Sequence, residues 1–375
     1  MSKLALLIMC HLRVLDSASG LNGGQTPPAK STKTNLDSRR AFLAVAVVAV
    51  SPFVLDVEPA KADPMNALLP MASGAPILPY AEGDWKFPSP KTQLGSSRIS
   101  SKSLSPLQQA PFTSQELYYA PFLFGSWDVK ATLKQKMYPF GKDFVPSKSL
   151  VEGSPRNRKE QVGDTTSYEV HYFSTLADTL ANQITVNLGL GVPQPKIIAD
   201  RAHNAISMSS AYQQLTPVKE VEWDYRADPT RLTLKFGAGP VADDMRPLGQ
   251  RRGEVYLLAR TSEESDDGSV YCAAERSRSV SVGPGTVVVS DMETITEFQK
   301  VDSETVSAVS RVAVYLTPNP NSREGILWQQ VGGKAVAFFD YEISMKRIEE
   351  EFTLANGSKV LRPCVQTPKD IIQCE

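Results

Sequence analysis

The 375-residue chain predicts a mainly β protein, an antiparallel barrel of about eight or nine strands behind a proline-rich N-terminal extension. Three observations carry this. From Gly125 onward, apolar and polar residues alternate with period two in run after run, the pattern of half-buried strands. The breaks between runs hold turn residues, Asp266-Asp267-Gly268, Gly283-Pro284-Gly285 and Thr317–Ser322, and long strands joined by short turns favour a meander. A meander of this many strands gains by closing, because closure removes exposed edges.

Residues 63–115 carry eight prolines, at 64, 70, 76, 79, 88, 90, 106 and 111. Proline lacks the backbone donor, so no helix or central strand is expected there. The segment reads as a linker or as an extended arm, with Tyr80, Trp85 and Phe87 as sparse apolar anchors. The first strand follows at Gly125-Ser126-Trp127. Trp127, Val129, Ala131, Leu133 and Met137 point one way, and Asp128, Lys130, Thr132, Lys134 and Lys136 the other. A loop rich in Gly, Pro and Lys leads to a second strand at 166–173. Residues 196–200 suggest a short strand, and 201–215 a weak helix or a strand extension. Runs at 218–226 and 231–236 flank the turn signal Asp228-Pro229, and further strands are expected at 253–262, 269–281, 286–299, 306–316 and 335–350. Residues 353–375 form a C-terminal tail, giving a barrel domain over 116–352.

The N-terminal region predicts an address. Ser38-Arg39-Arg40-Ala41-Phe42-Leu43 precedes an apolar run from Ala44 to Leu55 and then Ala60-Lys61-Ala62. Paired arginines, a short hydrophobic segment and a small-x-small site make a twin-arginine export signal, with cutting after Ala62. The apolar run is shorter than the roughly 20 residues of a membrane span. Residues 1–37 are rich in Ser, Thr, Lys and Asn with only Asp16 and Asp37 acidic, as in a plastid transit region before a lumenal signal at 38–62. The expected location is the chloroplast thylakoid lumen. A bacterial periplasmic precursor is the rival reading, and apolar Leu4–Cys10 leaves room for an additional first signal.

Charge and motifs exclude more than they assign. Seven of the 40 basic and four of the 41 acidic residues lie within 1–62, which leaves the remainder four charges negative. Nucleic-acid binding wants a basic face and gets no support. No later apolar run reaches membrane-spanning length. Of the cysteines beyond residue 62, Cys364 and Cys374 are near enough to close a small loop, Cys272 is an alternative partner for either, and three free thiols is the remaining option. Only His171 and His203 follow the signal, little material for a zinc site or a His-based triad. His171 shares a strand face with Glu169 and Phe173 and reads as a wall residue. Gly237–Ala242 mimics a dinucleotide loop, yet Pro240, Asp243, Asp244 and Pro247 spoil the helix start it needs. The acidic cluster 263–267 reads as a solvated hairpin tip without EF-hand spacing. No catalytic residue, metal or cofactor is expected.

Gly125-x-Trp127 at the head of the first strand, behind Leu117-Tyr118-Tyr119-Ala120-Pro121, resembles the signature of the lipocalin-like superfamily. The resemblance covers roughly 116–352. It implies a barrel closed at one end by Trp127, with an arginine of the last strand over the indole. Arg347 falls in phase with Ala337, Phe339, Tyr341, Ile343 and Met345, where that arginine would sit. The loops 138–165 and 174–215 are longer than a minimal lipocalin needs, and the lipocalin cysteine pattern is not evident. The layout also resembles lumenal proteins of algae, plants and cyanobacteria.

Three functions follow as expectations. The first is a non-enzymatic accessory or assembly protein that docks on a photosynthetic membrane complex through its arm and loops, with Tyr80, Trp85 and Phe87 as docking residues. The second is a carrier of a small apolar ligand, a pigment, quinone or lipid, with Trp223 and Tyr225 in or near the barrel cavity. The third, implied by resemblance to lumenal de-epoxidase and cyclase barrels, is an enzyme acting on xanthophylls or oxidised lipids.

Overall fold

The computed structural model describes residues 78–374, apart from 112–113, 148, 153–159, 177–178, 192, 213–216, 237–250, 284–285, 321 and 354–357. The transit region, the twin-arginine signal, the lead up to residue 77 and the Gly237–Ala242 turn lie outside the described residues.

The protein is mainly β. One antiparallel sheet curls into a half-barrel. Its strands are β1 (Tyr80–Glu82), β2 (Gly125–Tyr138), β3 (Thr165–Leu176), β4 (Pro195–Ala199), β5 (Val218–Asp224), β6 (Asp228–Phe236), β7 (Arg251–Glu264), β8 (Val270–Gly283), β9 (Thr286–Lys300), β10 (Thr305–Tyr315), β11 (Ala337–Thr353), β12 (Lys359–Gln366) and β13 (Ile372–Cys374). The path runs β4-β3-β2-β11-β10-β9-β8-β7-β6-β5. β5 to β11 form the expected meander, and β11 returns to pair with β2, which brings the first and last long strands together. The helices are α1 (Gln93–Arg98), α2 (Ser149–Glu152), α3 (Leu180–Leu188), α4 (Arg201–Tyr212) and α5 (Arg323–Gln330). None of the described helices is long and apolar enough to cross a membrane.

The alternation seen in sequence sets the burial as far as Leu133; there a β-bulge against β11 reverses the phase, so that, against expectation, Lys136 is buried and Met137 packs on the opposite face of the sheet with Phe338. Trp127, Val129, Ala131 and Leu133 of β2 are fully buried on the concave side. They join Tyr168, Val170 and Tyr172 of β3 and Phe339, Tyr341, Ile343 and Met345 of β11 in the main core.

Strand–strand hydrogen bonds do not close the curl among the described residues, because the path ends at β4 and β5. Helix α4 fills the seam. β4 pairs with β3 only over Tyr172–Leu176, so β3 has a free edge before it. There the Glu169 N–H donates to Ser207 Oγ (3.0 Å) and the His171 N–H to Asn204 Oδ1 (2.7 Å). On the other side the Val218 N–H of β5 donates to Ser209 Oγ (2.8 Å). The helix satisfies strand-edge groups that would otherwise be orphaned, about 1 kcal/mol for each bond.

The arm is where the structure departs from the expectation of no regular element. β1 pairs with the far end of β2, Tyr80 opposite Tyr138, and α1 forms with Thr92 as its N-cap. The prolines at 79, 88, 90 and 106 punctuate the arm, and 80–87 and 91–105 between them are free of proline. The arm lies on the convex face of its own sheet. Ile99, Leu104 and Leu107 pack with Ile295, Tyr315 and Phe338 in a second core, worth about 5–9 kcal/mol at 1.5–3 kcal/mol per buried side chain. Sheet carboxylates meet the N-terminus of α1. Glu297 accepts the N–H groups of Lys91 and Thr92, and Glu263 those of Gln93 and Leu94. Glu293 pairs with Arg98 and accepts from the Leu107 N–H and the Tyr315 hydroxyl.

The tail 353–375 is likewise ordered where described. β12 pairs with β11 and β13, and Cys364 and Cys374 are disulfide-bonded. Cys272 is a buried free thiol.

Candidate functional site

At one end of the curl, Pro121–Leu123 forms a one-turn 3-10 helix before β2. Gly125 sits at φ +110°, a backbone state that side chains disfavour. The fully buried Trp127 donates Nε1–H to the Leu123 carbonyl at 2.8 Å. The Arg347 guanidinium lies 4.6 Å from the Trp127 ring centroid and donates to the carbonyls of Phe122 and Phe124 at 3.0 and 3.2 Å. Arg347 therefore holds the 3-10 turn and the indole together.

The arm aromatics are engaged within the chain. Tyr80 packs on Tyr138 and carries the Lys142 ammonium over its ring at 3.9 Å. Trp85 contacts Phe87 with centroids 4.5 Å apart, and Arg311 lies 4.9 Å over Phe87. Trp223 and Tyr225 are half-buried at the β5 end of the sheet. Trp223 donates to the Pro229 carbonyl, and Tyr225 meets Phe173 edge-on at 5.3 Å. They border two surface grooves, the Tyr225 groove being shared with Leu176, Pro195, Arg226, Lys369 and Ile371.

Two polar clusters stand out, and α4 supplies both. On the concave side Arg201 is fully buried. Its Nη1 and Nη2 fork onto Glu275 at 2.9 Å each, and Nη2 also reaches Glu116 at 2.8 Å. Burial holds the Glu275 carboxyl above its ordinary range although Arg201 pulls it down. Burial raises the Tyr119 hydroxyl, helped by Glu275, and raises Tyr172 beside it. The Tyr172 hydroxyl has no hydrogen-bond partner among the described residues.

The second cluster is Glu169, His171 and His203, whose donor atoms lie within 4.8 Å of one another. Glu169 and His171 are two apart on β3 and so share a face. α4 brings His203 over them, its N-terminus capped as Asp200 Oδ1 accepts the His203 N–H at 3.0 Å. The imidazoles stack with centroids 3.5 Å apart and planes 9° apart. His171 Nε2 is 2.6 Å from Glu169 Oε1. Burial, then the neighbouring His171, lowers His203 to about 4, and the bond to His171 lowers Glu169. Histidine scarcity argued against such a meeting. The legible signal was the shared face of Glu169 and His171; the 32-residue return to His203 depended on the fold.

A family model described as a domain of unknown function, DUF6816, matches residues 111–349. The chain belongs to this family. No curated protein and no solved structure matches it. The DUF6816 match runs from before β2 into β11, and so takes in both clusters, Trp127 and Arg347. It leaves out β12, β13 and all of the arm before residue 111.

Within the DUF6816 span, α3 is the most unusual surface. Thr179 caps its start and Gly189, at φ +63°, its end. Leu180, Ile184 and Leu188 form one stripe at i, i+4 and i+8, and they are 72, 45 and 65% exposed. No residue of Leu180–Leu188 is charged. Exposed Leu176 and Leu190 extend the apolar surface at either end.

Proposed function

We propose that this protein is a non-enzymatic accessory protein of the thylakoid lumen that docks on the membrane surface carrying the photosynthetic complexes. The address rests on the twin-arginine signal and the transit-like segment before it. The lipocalin-like relationship rests on Gly125, Trp127 and Arg347, and the lumenal relatives on the layout of signal, proline-rich lead and β domain. The observation that carries the docking is α3. The arm aromatics are engaged by the chain's own sheet, so α3 is the better docking element.

The occupant that fits α3 is a lipid surface. The helix is too short and too exposed for a span, and it presents Leu180, Ile184 and Leu188 along one stripe, with exposed Val186 off it and no charge between them. Arg226 and Lys369 lie in the groove beside Leu176 and Ile371, where cations meet acidic headgroups. Burying the exposed portions of Leu180, Ile184 and Leu188 yields about 3–5 kcal/mol, and each cation near an anionic surface adds about 1 kcal/mol. That is the strength of a reversible peripheral contact.

Cosedimentation with vesicles of neutral lipid, with and without an anionic component, tests this. The intact protein is expected to sediment with the anionic vesicles, and Leu180→Ser/Ile184→Ser/Leu188→Ser to lose at least tenfold in affinity. Equal binding of the triple variant refutes docking through α3. Sedimentation with thylakoid membranes but not with vesicles refutes the lipid as the ligand and points to a membrane protein. Import of an Arg39→Lys/Arg40→Lys precursor checks the address, and unimpaired entry to the lumen refutes it.

A further inference from the structure

We propose that Glu169, His171 and His203 form a binding site for one divalent transition-metal ion of the zinc class, which ties α4 to the free edge of β3. Two imidazoles and a carboxylate are a borderline nitrogen and oxygen donor set. Zinc and its first-row neighbours accept it, whereas calcium and magnesium require oxygen. Three protein ligands leave a fourth position to water or an outside ligand.

Three features of the geometry point to an ion. First, the donor atoms already lie within 4.8 Å of one another. Bonds of 2.0–2.2 Å in a tetrahedral site place donor atoms about 3.3 Å apart, a change within reach of side-chain rotation. Second, His203 Nε2 is buried and has no hydrogen-bond partner among the described residues. A buried imidazole nitrogen without a partner is costly unless something occupies it. Third, the ligands ride on a stapled backbone. Asn204 accepts from the His171 N–H at 2.7 Å and donates to its carbonyl at 3.2 Å, and Ser207 accepts from the Glu169 N–H at 3.0 Å. These bonds fix the backbone of β3 against α4 and so hold the three side chains on facing positions.

Lone pairs lie in the ring planes, so two stacked imidazoles cannot both aim at one ion. Binding must splay His171 and His203 out of their stack and separate His171 from Glu169. The ion then replaces a stacking contact across the seam with a bridge between strand and helix.

The test uses the full chain purified without a histidine tag, with Zn2+ and Co2+ as the probes. Calorimetry with Zn2+ is expected to give one site. Co2+ should produce the visible absorption of a four- or five-coordinate site, and Zn2+ should raise the melting temperature. His203→Asn and Glu169→Gln are expected to weaken binding at least about 10-fold, the least that even outer-shell losses produce. Glu169 is half exposed, so Glu169→Gln keeps the fold and remains decisive if His203→Asn does not fold. Absence of a one-to-one site in the intact chain overturns the proposal. So does a Co2+ spectrum and affinity unchanged in Glu169→Gln, or an Nε2 resonance of His203 that Zn2+ does not move.

Discussion

Replacing Arg201 with Met should be the most damaging single change on the concave side. Arg201 is fully buried and pairs with both Glu275 and Glu116, which are 3 and 6% exposed. Methionine fills much of the volume but leaves two buried carboxylates without their cation. Breaking a buried ion pair from one side costs about 3–5 kcal/mol, a large part of a typical domain stability of about 5–15 kcal/mol. The loss should depend on pH. Burial already raises the Glu275 carboxyl, and Arg201 is its largest opposing influence. Without Arg201 the folded-state value rises further above the unfolded one. Such a group favours the folded state while protonated, and that contribution is lost as pH rises from the ordinary carboxylate range through the raised value. Urea unfolding of wild type and Arg201→Met at about pH 5 and about pH 7.5 should therefore show the larger difference at the higher pH. Adding Glu275→Leu should recover part of the loss, because it removes one of the two carboxylates left without Arg201. A loss below about 1 kcal/mol at neutral pH, or one that is the same at both pH values, refutes the reasoning.

Arg347→Met removes a cation–π contact and two bonds to the carbonyls that hold the 3-10 turn; about 2–4 kcal/mol should be lost, with a shift in tryptophan emission as Trp127 gains solvent. Cys364→Ser opens the ten-residue disulfide loop and should cost about 2–3 kcal/mol in chemical denaturation, a loss that reductant reproduces in the wild type. Glu293→Gln weakens the carboxylate that gathers Arg98, Leu107 and Tyr315, and limited proteolysis should then cut the arm between 78 and 111 several-fold faster with the sheet left intact.

How much of this was legible follows from how far apart the partners lie. The strand was readable from Trp127 to Leu133 because alternation is local, but the bulge beyond Leu133 leaves no mark in the pattern, so the faces read for Lys136 and Met137 were reversed; the phase of Arg347 was readable because β11 alternates too. Helix α4 stayed ambiguous because its Ser, Asn and His residues have weak helix propensity, and its context decides. The Arg201 cluster was not legible, since its glutamates lie 74 and 85 positions away. Proline count misled for the arm. It forbids long elements, yet a three-residue strand and a six-residue helix fit between the prolines. Apolar anchors said that the arm would bury something, but not that its target was the chain's own convex face.

The composition of α4 carries one more consequence. A helix needed only to plug a gap would be served by alanine and leucine. This one places Asn204 and Ser207 against β3 and Ser209 against β5, and sends Arg201 into the core. These residues are chosen for the edges they meet rather than for the helix they form, and a 12-residue helix of this kind is not stable alone. It should therefore form only against both sheet edges, so that the seam closes in the same cooperative step as the curl. Native-state hydrogen exchange reads this directly. The α4 amides should share the protection of β3 and β5, and their opening free energy should fall with that of the sheet in Arg201→Met. A helix that exchanges by a separate, lower-energy opening would mean that the half-barrel stands without it, and the seam would then be a cover rather than part of the fold.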